Sequence, residues 1–246
     1  MTELRVLPLE GIPEVRGGDD LGALLAEAAE RAGGLEPKDI VVVAQKVVSK
    51  AEGRIVRLAD VEPSEHAHRL AGGEDARRLE VILAESVRLL RTRPPLVIAE
   101  TRHGFVCASA GVDSSNAPER DAVVLLPLDP DASARRLRLR LAELTGVTVG
   151  VVVTDSFGRA WRQGTTDVAI GVSGLAPLLD LRGVRDATGY ELHATQIAVA
   201  DEIAGAAELV MGKTSQVPAA IVRGLALAGD GSARDLVMPA ERDLFR

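Results

Sequence analysis

The chain has 246 residues, enough for one large domain or two modest ones, either able to bury a sizeable core. Apolar residues make up 46% and aromatics 2%, so the expected core is aliphatic, and stacking platforms for single-stranded nucleic acid are disfavoured. A net charge of −7 argues against a duplex-binding surface, and the single cysteine, Cys107, excludes an internal disulfide and fits a reducing cytoplasm.

Residues 5–9 read as a short strand. Asp19 is placed to cap a helix running to about Arg31, which Gly33 and Gly34 end. The β-branched run 40–43 is typical of a buried strand. Over 74–90, Leu79, Ile82, Leu83, Val87 and Leu90 recur with helical spacing, and Pro94 and Pro95 stop the helix. Residues 96–99 and 105–108 read as a hairpin turning at His103-Gly104. Further buried strands are expected at 123–126 and 147–153. Between them a helix over 131–144 presents Leu137, Leu141 and Leu144 and is closed by Gly146. A helix over 194–210 and a strand over 219–222 follow. The alternation predicts an α/β or α+β chain with mixed sheets, and no linker or repeat marks a domain boundary. No leader opens the chain and no apolar run reaches membrane-spanning length, so it reads as soluble and cytoplasmic, with no membrane or nucleic-acid partner.

Gly212-Lys213-Thr214 imitates the end of a phosphate-binding P-loop. That motif needs a glycine five positions earlier, where Ala207 stands, and it follows a strand instead of a helix. No G-x-G-x-x-G follows a strand either, so a Rossmann site is unsupported. A nucleotide here must be held another way.

Three segments carry chemistry. Residues 110–116, AGVDSSN, place a carboxylate, two hydroxyls and an amide within four positions after an apolar strand. Hard cations such as Mg²⁺ or Mn²⁺ take such oxygen donors, although the same residues would also make an ordinary polar turn. Residues 151–159 run from an apolar strand into Thr154-Asp155-Ser156, so a carboxylate emerges at a strand end, where α/β sheets bind ligands. Capping of the next element is the plainer alternative. Arg159, Arg162, Gly164, Thr165, Thr166 and Asp167 then read as a loop rich in phosphate-compatible groups. Finally, Gln45-Lys46 and Lys50 concentrate two of only four lysines beside a buried strand, as phosphate oxygens would require or as a solvated charge pair would allow.

Taken in order, these segments resemble the coenzyme F420-0:L-glutamate ligase (gamma-glutamyl ligase) family. The matching stretches are 8–13 (PLEGIP), 48–54 (VSKAEGR), 110–116, 126–131 (LPLDPD), 154–159 (TDSFGR), 169–174 (AIGVSG), 200–204 (ADEIA) and 222–225 (VRGL). The resemblance implies a single ligase domain over 1–246, with an α+β fold peculiar to the family and neither P-loop nor Rossmann motif. It implies a GTP-dependent ligase that joins L-glutamate to F420-0 through an acyl phosphate, using Mg²⁺ or Mn²⁺, two ions by expectation, with K⁺ as a further cation. By position, Asp113, Asp155 and Ser156 resemble the metal ligands. Ile12, Pro13, Glu14, Val15, Gln45, Lys46, Lys50 and Asn116 resemble GTP contacts, as do Met211, Gly212, Lys213, Thr214, Ser215, Gln216, Val217 and Pro218. Some relatives carry an acidic residue and several glycines in that last loop, where this chain has Lys213, Thr214, Ser215 and Gln216. No nucleophilic triad is implied, and neither Cys107 nor a histidine is assigned to catalysis. A homodimer is implied. Some actinobacterial relatives continue into a flavin-binding domain, and residues 242–246 would stand at that junction. A related ligase with another acceptor, or a GTP- or metal-binding module without turnover, would present the same carboxylates.

Overall fold

The computed structural model describes residues 3–227 and 229–245; the last residue of the expected 242–246 junction lies outside them. The chain opens with β1 (Arg5–Pro8), α1 (Leu21–Arg31), β2 (Ile40–Ala44) and α2 (Gln45–Ala51). A second lobe follows, with β3 (Ile55–Arg57), α3 (Glu65–Ala71), α4 (Ala76–Glu85), β4 (Ser86–Arg93), β5 (Leu96–Thr101), β6 (Val106–Ala108) and β7 (Ala122–Val124). The chain then returns through α5 (Pro130–Thr145), β8 (Gly150–Arg159) and β9 (Arg162–Ser173). It finishes with the short pair β10 (Leu179–Asp180) and β11 (Gln196–Ile197), then α6 (Val199–Met211) and β12 (Ala219–Arg223). The architecture is α+β with mixed sheets, as expected.

The main sheet has the order β1-β12-β2-β8-β9. Only β2 and β8 run parallel; the other neighbours are antiparallel. Alternation along the strands sorts their side chains to two faces. Val41, Val43, Val151 and Val153 pack with Leu25, Leu137 and Leu141 of α1 and α5. Val42 and Val152 pack with Ile203, Ala204 and Ala207 of α6 on the other side. Burial on both faces is why these strands are continuous aliphatic runs, and each such side chain contributes about 1.5–3 kcal/mol on leaving water.

The excursion through residues 54–126 has its own core, built on Leu79, Ile82, Val97, Ala99, Val112 and Val123. Its two ends are tied together, with Leu125 N donating to Arg54 O and Arg54 Nε donating to Leu126 O. Two motif glycines allow close approach. A Cβ on Gly171 would lie 2.3 Å from the Pro130 carbonyl oxygen at the start of α5. Gly224 has φ +106°, and its Cβ would meet Glu3 O at 2.1 Å.

Several expected elements are redrawn. The α1 cap is Asp20, whose side chain accepts from Ala23 N, while Asp19 accepts from Arg16 N. The helix expected over 74–90 ends at Glu85, and residues 86–93 turn into β4, leaving Val87 69% exposed. Ser86 Oγ closes the helix on Ile82 O, and pairing with β5 across Pro94-Pro95 then decides the conformation. Leu144 of α5 is exposed, so the buried stripe stops at Leu141. The expected helix over 194–210 begins only at Val199, because Gln196–Ile197 pair with β10. The segment read as a loop from Arg162 to Asp167 is the first half of β9, a strand made legible only by its pairing with β8.

Candidate functional site

Sheet order gathers the separated motifs at one end. Pro8 ends β1 opposite Ala220, Ala44 ends β2 beside Thr154, and Pro218 precedes β12 with its carbonyl accepting from Ala44 N at 2.8 Å. The turn 12–15, the start of α2, the strand end 154–156 and the loop 211–218 therefore emerge together. This is the carboxyl end of the parallel pair β2–β8, the position where ligands bind in such sheets.

Lys46, in the first turn of α2, reaches across to the second lobe. Its Nζ lies 2.7 Å from Asp113 Oδ2 and donates to Ser115 Oγ at 2.6 Å. Asp113 also accepts from Ser115 N at 2.7 Å and Ser115 Oγ at 2.9 Å. Burial alone would raise the Asp113 carboxyl, but Lys46 and these Ser115 bonds outweigh it and hold the group below its usual range. Asp113 is pinned by a bridge to Val124 of β7, so the carboxylate sits where the second lobe meets the main sheet.

Asp155 has no such compensation. Burial pushes its carboxyl up to about 7, the negative charges of Asp167 and Asp113 push the same way, and Ser156 N and Lys46 only partly oppose them. Asp167 is buried on β9, accepting from Ser156 Oγ at 2.6 Å and Thr154 Oγ1 at 3.0 Å. Glu208 of α6 is raised by its own burial first and by the Asp167 charge second. Asp113 and Asp155 thus share one nearby lysine, and Asp167 adds a third carboxylate.

This excess of hard oxygen donors suits Mg²⁺ or Mn²⁺. Among the described residues no three His, Cys, Asp or Glu side chains form a closed metal cage. An Mg²⁺-type site, which keeps waters and phosphate oxygens in its shell, does not need one.

The remaining expected residues fall into distinct settings. Lys50 is buried and its Nζ lies 2.6 Å from Glu14 Oε1, so the turn Ile12, Pro13, Glu14 and Val15 is joined to α2. Gln45 is buried, and its amide donates to Ser49 Oγ and Leu125 O, bracing α2 against the second lobe from behind. Asn116 is exposed in the left-handed region at φ 56°, on the Asp113 loop. Met211 is buried at the end of α6 and Gly212 caps that helix, which removes the P-loop geometry. Lys213, Thr214, Ser215 and Gln216 are exposed, while Val217 and Pro218 are half-buried as the chain joins β12. Cys107 is buried, and burial, with the Asp155 charge nearby, pushes its thiol up to about 12.

Asp167, placed by the sequence only in a phosphate-compatible loop and not among the metal ligands, is instead a buried carboxylate beside Asp155. A signal for it existed: Asp167 precedes the apolar run 168–172, mirroring Asp155 after 149–153.

The fold and this sheet end define an α+β protein with a carboxylate-rich candidate site. Residues 11–224 match F420-0:gamma-glutamyl ligase, and the chain is a member of that family. A protein of Methanopyrus kandleri named coenzyme F420:L-glutamate ligase is 49% identical, over 100% of this chain and 99% of its own length. Proteins of the same name from Methanothermobacter thermautotrophicus and Archaeoglobus fulgidus are each 43% identical over 99% of this chain, and over 99% and 96% of their own lengths.

Proposed function

We propose that this chain is a GTP-dependent ligase that joins the amino group of L-glutamate to a carboxylate of F420-0, in coenzyme F420 biosynthesis. The observation that carries this reading is the meeting of Asp113, Asp155 and Lys46 at the end of β2 and β8, in a chain whose full-length relatives bear the ligase name.

The substrate carboxylate attacks the γ-phosphorus of GTP, giving an acyl phosphate and GDP. The glutamate amine then displaces phosphate, and the amide forms. Both reactants of the first step are anionic, so the site must neutralise charge before they approach. Lys46, in the first turn of α2, and Lys50, in its last, would supply positive charge toward the phosphates. Asp113, Asp155 and Ser156 would hold the divalent cations, which supply charge neutralisation and polarise phosphoryl oxygens when bound. The exposed backbone of 212–216 and the turn 12–15 would flank the nucleotide. Positioning of the two substrates contributes much of the remaining acceleration.

Mass spectrometry after incubation with GTP, Mn²⁺, L-glutamate and F420-0 tests the reading. A product heavier by one or more glutamyl units, with phosphate release dependent on the acceptor, is expected. Acceptor-independent phosphate release, or none, overturns it. The active species is proposed to be a homodimer, and light scattering at twice 25.9 kDa is expected at micromolar concentration.

A further inference from the structure

Asp167 is 5% exposed, yet among the described residues no lysine, arginine or histidine pairs with it. A buried carboxylate without a cation is costly, and folds retain one where a metal or substrate completes it. Both of its oxygens are engaged by hydroxyls from the neighbouring strand. Thr154 Oγ1 has a choice of acceptor, since Val168 O lies 3.1 Å away as well as Asp167 Oδ2 at 3.0 Å. Ser156 Oγ has one, Asp167 Oδ1, at 2.6 Å. Ser156 and Asp167 are register partners across β8 and β9, so strand pairing itself fixes this contact.

A serine hydroxyl has one proton and two lone pairs. When the proton is committed to Asp167, both lone pairs face away from Asp167. The carboxylate also draws on that proton and so makes the oxygen a better donor to a cation. Outer carboxylates orient and strengthen metal-ligating side chains in this way. Asp155 and Glu208 add negative charge to the same region.

We propose that Asp167 is a positioning residue, which holds the Ser156 hydroxyl as a ligand for a second divalent cation. The inference rests on the metal-dependent reading above. It extends that reading to a residue outside the expected ligand set, and it makes the β8–β9 pairing part of the site.

The test is binding of Mn²⁺, followed by the electron paramagnetic resonance of the free ion, with and without GDP. Wild type is expected to show two classes of bound Mn²⁺. Asp167→Asn should weaken one class by roughly ten- to a hundred-fold, and leave the class held by Asp113 and Asp155 within twofold. Ser156→Ala should weaken the same class. The double variant should be no worse than Ser156→Ala, because Asp167 acts through that hydroxyl. Additive losses, or an unchanged second class in Asp167→Asn, overturn the proposal while leaving the metal reading in place. No bound Mn²⁺ in wild type under either condition overturns both. If Asp167→Asn fails to fold, Thr154→Val loosens Asp167 without touching Ser156. It should weaken the same class to a smaller degree, and an unchanged second class there overturns the proposal.

Discussion

The Lys50 ammonium lies 2.6 Å from Glu14 Oε1, with the lysine side chain 5% exposed and the glutamate 65% exposed. The pair ties the turn 12–15 to α2, two segments that sequence alone leaves far apart. It also removes the reading of Lys50 as a solvated surface charge, because a buried ammonium is kept only with work to do or a partner to satisfy it. Lys50→Met should fold, since the methionine fills the stem's space and Glu14 can rehydrate. Its affinity for GDP with Mn²⁺ should fall by about ten- to a hundred-fold, the loss of one charge-assisted contact of about 1.5–3 kcal/mol. Calorimetric titration of both proteins measures this, and an affinity within twofold of wild type would remove Lys50 from the nucleotide site.

How much of this was legible beforehand depended on whether the deciding contact was local. The runs 40–43 and 147–153 announce buried strands because both faces are covered, and Gly146 announces the end of α5. Their pairing was not legible: β12 slots between β1 and β2 from the far end of the chain. That placement brings 12–15, 45–50, 154–156 and 211–218 to one edge. Residues 86–93 fit a helical spacing as well as a strand, and only β5 distinguishes them. The first half of β9 is polar, so its strand character lies in its partner and not in its composition. Asp167 read as part of a phosphate-compatible loop for the same reason.

A buried pair explains one motif that chemistry does not. Arg223, at the end of β12, donates from Nε to Asp39 Oδ1 at 2.9 Å and from Nη2 to Asp39 Oδ2 at 2.8 Å, and Asp39 also accepts from Glu36 N. Asp39 is fully buried. Asp39→Ala removes all three bonds and leaves Arg223 with Gly34 O and the exposed Glu36. Removing one partner of a buried pair strands the other, at about 3 kcal/mol. Urea denaturation should show the midpoint falling at unchanged slope. A change below about 1 kcal/mol would mean that the pair is replaceable by water.

Cys107 provides a check on the packing of the second lobe. With its thiol pushed up to about 12, chiefly by burial, the group stays protonated through the neutral range. At pH 8 the thiolate fraction is about one in ten thousand, and it grows only as pH approaches 12. Native protein at pH 8 should therefore resist iodoacetamide for hours, while urea-unfolded protein is alkylated at the ordinary rate. Rapid modification of the native protein would show that β6 opens readily.

Asp155 separates stability from function most sharply. Its carboxylate is half-buried beside Asp167 and Asp113, with Lys46 already committed to Asp113. In the metal-free protein this arrangement is repulsive, and the proposed cation would relieve it on binding. Asp155→Asn removes the repulsion and also removes a charged ligand. It should therefore melt higher than wild type in EDTA, by about 2–4 °C for each kcal/mol relieved. Adding Mn²⁺ should raise the melting temperature of wild type and do much less for the variant. Turnover in the variant should be abolished even at saturating Mn²⁺. A variant that melts lower than wild type in EDTA would show that Asp155 is there for packing, and comparable turnover would remove it from the metal site.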